Sequence, residues 1–252
     1  MVNTMTNNPT NVLSLEHISK TFADGAAVIN DLSLTVKRGE IVSIVGPSGC
    51  GKSTLLRIAA HLEPPTTGTC TVDAQGIGYV FQDPTLLPWR SVRANVALLA
   101  ELQQLDSTMM QTRVDEAIAL VGLQDHQDKY PRQLSGGMRM RVSLARSLVL
   151  RPHLFLLDEP FSALDEINRQ RLNDELLNLF EQQQFGVLFV THSVTEAVYL
   201  SSKIHVMSAR PGVISRTIEI PFGYPREADL RFDPSFGQHA LEVSHALRET
   251  ES

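Results

Sequence analysis

The chain has 252 residues, 42% of them hydrophobic, enough for one large domain or one domain with an inserted lobe. A formal charge of −6 argues against a surface built throughout to hold nucleic acid, which is usually basic. Two cysteines (Cys50 and Cys70), a polar start over Met1–Thr10 and no apolar window of about eighteen residues point to a reduced cytosolic chain. No disulfide, secretory signal or membrane span is expected.

Val12–Glu16 and Leu32–Val36 alternate apolar and polar residues, as half-buried strands do. Ile41–Val45 is mostly apolar, suits a strand buried on both faces, and runs directly into Gly46. Ser53–Ala60 then reads as helix, and Thr69–Val72 and Ile77–Phe81 as further strands. After Gln82 the prolines at 84 and 88 break the chain, and helical periodicity dominates over roughly 83–149. Val114, Ala117, Ile118 and Val121 share one helix face, with Gly122 as the C-terminal cap. The α/β pattern resumes with His153–Leu157. It continues with a helix over about 164–183, a strand at Val187–Val190, a short helix from N-cap Ser193, and strands at Lys203–Ser208 and Val213–Ile220. A breaker-rich stretch from Pro221 to Pro234 precedes a last amphipathic helix marked by Phe236, Ala240, Val243 and Leu247.

Three local patterns carry chemistry. Gly46, Pro47, Ser48, Gly49, Cys50, Gly51, Lys52, Ser53 and Thr54 form a phosphate loop between a strand and a helix. Its backbone N–H groups and the helix dipole would hold phosphate oxygens, Lys52 would reach the β- and γ-phosphates, and Ser53 would ligate Mg2+. Cys50 reads as a small filler inside the loop. At the end of an apolar strand stand Asp158 and Glu159; the first suits a Mg2+ shell and the second general-base work on a water. Leu134-Ser135-Gly136-Gly137-Met138 opens a helix over Arg139–Leu150, where Ser135 and the free N–H groups would hold a second anion. Alone, that run is an ordinary capped helix start. Beside a complete phosphate loop it is a surplus cradle.

The whole set resembles the ATP-binding cassette (ABC) ATPases over 12–222. It includes a Walker A loop at 46–54, a Q-loop at Gln82, the signature at 134–138, Walker B at 154–158 followed by Glu159, a D-loop at 162–165, and a switch His192. The resemblance implies an α/β P-loop NTPase core (12–82 and 150–222) with an antiparallel β subdomain and an inserted helical subdomain (83–149). A tail over 223–252 carries the last helix. It also implies that Phe22, where the family more often has tyrosine, stacks on adenine. Gln82 would touch Mg2+ or the attacking water, His192 would contact the γ-phosphate, and Asp165 would join two subunits' sites. The implied machine is a homodimer that sandwiches ATP between one chain's phosphate loop and the other's Ser135, Gly136 and Gly137.

The expected function is therefore an ATPase coupled to transport, a translocase subunit peripheral to the cytoplasmic side of the inner membrane. It would work with integral permease subunits and, indirectly, a solute-binding protein. Pro84–Trp89 and the tail through Arg226, Arg231 and Phe236 look like the nitrate/sulfonate/taurine importer group; thiamine-precursor and bicarbonate relatives share that look. A non-transport cassette in DNA repair or translation fits poorly with one acidic chain and a short helical lobe. A small-molecule kinase leaves 134–138 and Asp165 without a role. Arg139, Arg141 and Arg146 read as a solvated or phosphate-facing basic face, not a nucleic-acid site. Met140 stands where the family commonly has Gln, with no physical account from the residues. Trp89 either receives a membrane partner's helix or packs in the core.

Overall fold

A computed structural model describes residues 11–73, 76–162, 164–209 and 211–250. The polar start and Ala163 of the D-loop run lie outside the described residues. The strands are β1 (Asn11–Thr21), β2 (Ala27–Lys37), β3 (Ile41–Val45), β4 (Thr67–Val72), β5 (Ile77–Val80), β6 (Leu154–Asp158), β7 (Gly186–Val190), β8 (Lys203–Met207) and β9 (Ile214–Glu219). The helices are α1 (Lys52–Ala59), α2 (Val92–Leu102), α3 (Ser107–Leu120), α4 (Gly136–Leu148), α5 (Glu166–Gln183), α6 (Val194–Leu200) and α7 (Pro234–Glu249). Two sheets result: an antiparallel β2-β1-β4, and a six-stranded β5-β6-β7-β3-β8-β9 that is parallel except for its last strand.

The period-2 alternation of the strands divides one large sheet between two cores. Val42, Ile44, Leu154, Leu156, Leu188 and Val190 face one way, onto Leu55 and Ile58 of α1 and Leu13 and Leu15 of β1. Ile41, Val45, Phe155, Leu157, Val187 and Phe189 face the other way, onto Val142 and Ala145 of α4 and Leu176 and Phe180 of α5. Each of these side chains is at most 2% exposed, a burial worth roughly 1.5–3 kcal/mol per large aliphatic or aromatic group. That is why the central strands read as mostly apolar runs and β1 and β2 alternate.

The helices between β5 and β6, α2 to α4, pack against one another. Ser91 caps α2 and Asp106 caps α3, each by accepting backbone N–H bonds, and Gly122 (φ +65°) follows the end of α3. Buried side chains pin the segment after Gln82 to this block. Asn95 exchanges hydrogen bonds with the backbone of Leu87 at 2.8 and 3.1 Å and also donates to Arg90 O. Arg146 donates to Pro84 O at 2.9 Å and to Thr85 O at 3.1 Å. Arg146 is thus an internal strut rather than part of a solvated face, and Arg141 is paired with Glu175 at 2.8 Å; of the three arginines only Arg139 is exposed. Met140 is buried and packs in the core beside α5.

The tail after β9 grips α6. Arg226, only 7% exposed, donates to Val198 O, Tyr199 O and Ser201 O, carbonyls at the end of α6 without helical partners, and to Phe222 O of the tail itself. Arg231 lies over the Tyr199 ring, 3.4 Å from its centroid, and pairs with Asp174 at 2.7 Å. Phe236 and Val243 of α7 join the core.

Candidate functional site

The carboxyl ends of β3, β6 and β7 lie side by side, because β7 pairs with both of the others. In a parallel α/β sheet that edge is where ligands bind. Gly46 follows β3, Asp158 ends β6, and Thr191 and His192 follow β7.

The phosphate loop leads into a helix start unlike the others. Side chains of Ser91, Asp106, Ser135, Asp165, Ser193 and Asp233 cap α2 to α7. At α1 the cap position is Gly51, held at φ +105°, and no side chain bonds the first amides. A left-handed φ is tolerated there because glycine lacks a Cβ. The unfilled donors at the positive end of the helix dipole form an anion seat. Lys52 is 6% exposed, and its Nζ donates to Gly46 O at 2.8 Å and Pro47 O at 3.0 Å, spanning the loop. Gly46 and Cys50 are buried, Pro47 and Thr54 half-buried, and Ser48, Gly49 and Ser53 exposed. Burial pushes the Cys50 thiol above its ordinary pKa despite the Lys52 charge, so it stays protonated and inert, as a filler should.

Ser53 Oγ donates to Asp158 Oδ1 at 3.0 Å, bringing together the two groups expected to hold Mg2+. Burial raises the Asp158 carboxyl above its usual range; the Ser53 hydrogen bond works against that shift, and the Glu159 charge adds to it. A half-buried carboxylate beside a hydroxyl and a phosphate seat is an oxygen donor set that suits Mg2+.

Glu159 would point away from Asp158 if the strand simply continued. Instead its backbone adopts φ +47°, with its N–H still bonded to Val190 O at 2.9 Å. The turn brings Glu159 Oε2 to 3.0 Å from His192 Nδ1. Ser162 Oγ donates to Glu159 O at 3.0 Å, and Gln82 Nε2 donates to Ser162 Oγ at 3.2 Å. Gln82, Ser162, Glu159 and His192 therefore form one connected polar line along the sheet edge.

The remaining predicted residues sit elsewhere. Phe22, just after β1, is 40% exposed with Lys20 Nζ over its ring, 5.2 Å from the centroid, so it is not a core residue. Ser135 caps α4 by accepting from Met138 N at 3.2 Å. Among the described residues no hydrogen bond links Ser135, Gly136 or Gly137 to the phosphate loop. A Cβ on Gly136 or Gly137 would meet neighbours only at 3.5 and 3.7 Å, ordinary contacts, so nothing inside the chain requires glycine at either place. Asp165 is exposed and caps α5; its hydrogen bonds from the Asn168 side chain and N–H hold its carboxyl below the usual range. Trp89 is 71% exposed, which excludes the core-packing reading.

Two neighbours escaped sequence reasoning. The Tyr79 hydroxyl is shielded from solvent and pushed up first by burial and then by the Asp158 charge. Glu196, 5% exposed, accepts from Thr191 Oγ1 at the root of the His192 turn. No motif marks Tyr79. Glu196 did carry a signal, since Ser193-x-x-Glu196 spells a capping box, but that pattern speaks for helix starts rather than for a site.

Comparison with known proteins finds the chain similar to ATP-binding subunits of transporters. The family model described as ABC transporter matches residues 29–162. A nitrate import ATP-binding protein of Synechococcus elongatus is 40% identical over 248 residues, 93% of this chain and 90% of the relative. An aliphatic sulfonates import ATP-binding protein of Xanthomonas axonopodis is 45% identical over 230 residues, 87% of this chain and 91% of the relative. Among solved structures, a dimeric ATP-binding cassette in a post-hydrolysis state with ADP and Pi superposes with a TM-score of 0.73 at 29% identity. It covers 84% of this chain and 100% of that one.

Proposed function

This chain belongs to the ABC transporter family, and from that premise we propose that it powers an importer for a small anion or organosulfonate such as nitrate, a sulfonate or taurine. It is an ATP-binding subunit that hydrolyses ATP to drive import. The observation that carries the catalytic assignment is the turn at Glu159. A non-glycine residue at φ +47° brings a carboxylate to the switch histidine, one residue after the Asp158–Ser53 pair.

The proposed reaction follows from those contacts. ATP phosphates sit on the uncapped amides of α1, and the Lys52 ammonium exchanges two backbone carbonyls for phosphate oxygens. Ser53, Asp158 and Gln82 would hold Mg2+, which when bound would supply positive charge to offset that of the phosphates. Glu159 accepts a proton from the attacking water, whose oxygen bonds to the γ-phosphorus as the bond to the ADP oxygen breaks. General-base help of this kind is worth about 10²–10⁴ in rate. His192, oriented by Glu159, contacts the γ-phosphate, and Phe22 offers its ring to adenine.

The other half of the site comes from a second copy. Gly136 and Gly137 have no steric reason inside the chain, and Ser135 uses only its acceptor to cap α4, keeping a hydroxyl hydrogen to donate. Both facts support a head-to-tail homodimer in which Ser135–Gly137 of one copy covers the phosphates held by the other. ATP then closes the pair because it binds the closed state better. No helix of the described residues is long and apolar enough to cross a membrane, so permease chains would supply the span. We place the subunit on the cytoplasmic face, serving a solute-binding protein indirectly and no nucleic acid. Exposed Trp89 stands near a groove lined by Gln82, Leu86, Pro88 and Pro131, which suits a permease helix.

Glu159→Gln tests the reading. With ATP and Mg2+ it should bind nucleotide, lose hydrolysis about a hundredfold or more and elute as a dimer in size-exclusion chromatography. Elution only as a monomer would refute the base assignment or the sandwich.

A further inference from the structure

The turn at Leu164–Asp165 and the turn at Thr191–Ser193 belong to separate elements, yet a half-buried guanidinium and a buried carboxylate stand between them. Arg169 of α5 donates through Nη2 to Leu164 O at 2.9 Å and through Nη1 to Glu166 Oε2 at 3.2 Å. Glu196 of α6 accepts from Thr191 Oγ1 through Oε2, and Thr191 Oγ1 in turn accepts from Ser193 N at 3.0 Å. Each side chain thus has one hand on its own turn.

Their other hands do not meet. Arg169 Nε lies 3.8 Å from Glu196 Oε1, and both atoms are sealed from solvent without a hydrogen-bond partner. Burial raises the Glu196 carboxyl above its usual range, a penalty that the Thr191 hydrogen bond and Arg169 charge relieve only in part. The two facing atoms, Arg169 Nε and Glu196 Oε1, are thus sealed polar atoms without the hydrogen bond that would offset their desolvation. A charge-assisted bond forms at about 2.7–2.9 Å, so a shift of about 1 Å would satisfy both atoms together. Space adjoins the pair: a cavity of about 220 Å³, open to solvent, is lined by Arg169, Asn173, Glu196 and Arg231. The Leu164–Asp165 side is also the reachable side, since Asp165 is exposed and Ile167 is 82% exposed.

We propose that Arg169 and Glu196 are a positioning pair: contact of a second copy with the Leu164–Asp165 turn drives Arg169 Nε onto Glu196 Oε1, and Glu196, through Thr191, sets His192 for hydrolysis. The pair touches neither nucleotide nor water. It makes the histidine's placement depend on the partner's arrival, so an isolated chain that binds ATP hydrolyses it poorly. The inference rests on the proposed dimeric ATPase and deepens it.

The test uses the full chain and three variants: Glu196→Gln, Arg169→Met and the double substitution. Glu196→Gln keeps an acceptor for Thr191 and replaces the oxygen facing Arg169 with a group that cannot accept. Each single variant should retain KM within about twofold and lose about tenfold in kcat, a size typical of coupling between linked groups. The double variant should be no slower than the slower single, because the two residues act as one unit. A kcat for Glu196→Gln within twofold of wild type would overturn the proposal, as would losses that multiply in the double variant. If Arg169→Met does not fold, Arg169→Lys replaces it; the point charge cannot span Leu164 O and Glu196 together, and the same fall in kcat is expected. An inactive wild-type chain, or a Glu159→Gln variant that ATP leaves monomeric, would instead sink the parent reading.

Discussion

Replacing Arg226 with alanine should destabilise the fold by about 4 kcal/mol. The guanidinium is 7% exposed and donates to four carbonyls, at 3.1 Å (Val198), 2.7 Å (Tyr199), 3.0 Å (Ser201) and 2.6 Å (Phe222). A hydrogen bond from a charged group contributes about 1.5–3 kcal/mol, but four bonds to one group are not additive. Water entering the vacated space would recover part of the loss, which brings the sum into the roughly 3–5 kcal/mol seen when one partner of a buried charged contact is removed. Arg226→Lys keeps the charge but has only three donors, without the planar fork, and should lose about half as much. Urea unfolding followed by far-UV circular dichroism measures both, provided the slope against urea is unchanged. A loss below about 1 kcal/mol in Arg226→Ala would show that the tail does not hold α6 and that the four carbonyls are satisfied without it.

Other outcomes follow from the same geometry. Ser135→Ala should lower stability by about 1 kcal/mol through the lost cap of α4 and slow hydrolysis about a hundredfold, yet leave ATP binding by the isolated chain unchanged. Hydrolysis within threefold of wild type would remove Ser135 from the site. His205 is buried against Thr217 at 2.8 Å, and burial first, then the Lys203 charge, lowers its pKa to about 4. Its unfolded form takes up a proton near pH 6.5 while the folded form does not, so its contribution to stability falls as pH drops from about 6.5 to 4, by about 1.4 kcal/mol per unit. His205→Gln should flatten that part of the stability profile; an unchanged slope would contradict the burial argument. Trp89, 71% exposed, should show red-shifted emission fully quenched by acrylamide. Adding the detergent-solubilised cognate permease should protect it, and equal quenching with and without permease would exclude docking there.

Local signals carried most of the architecture. Ile41–Val45, the phosphate loop and α1 are contiguous and governed by short-range geometry, so strand, loop and helix were readable in order. The capping roles of Ser135 and Ser193 were legible for the same reason. What escaped depends on contacts distant in sequence. The insertion of β3 between β7 and β8 sets which strand ends share an edge, and nothing in Ile41–Val45 itself announces its neighbours. Arg146 and Arg226 are buried against the general tendency of arginine, and only the open carbonyls they meet explain why. Tyr79 is drawn into the site by its strand partner, since it pairs with Leu156, two residues before Asp158 and on the same face of β6.

Glu159 carries a conflict that a sequence pattern hides. Its φ of +47° is the region where glycine sits without strain, while a side chain with a Cβ is held there at an expense of order 1–3 kcal/mol. Backbone and chemistry thus ask for different residues at the same point. The N–H bond to Val190 O and the carbonyl's bond from Ser162 keep the strained turn from relaxing. If Glu159 is the proposed base, Glu159→Gly would relieve the backbone and abolish hydrolysis together, so this turn trades stability for chemistry at a single residue.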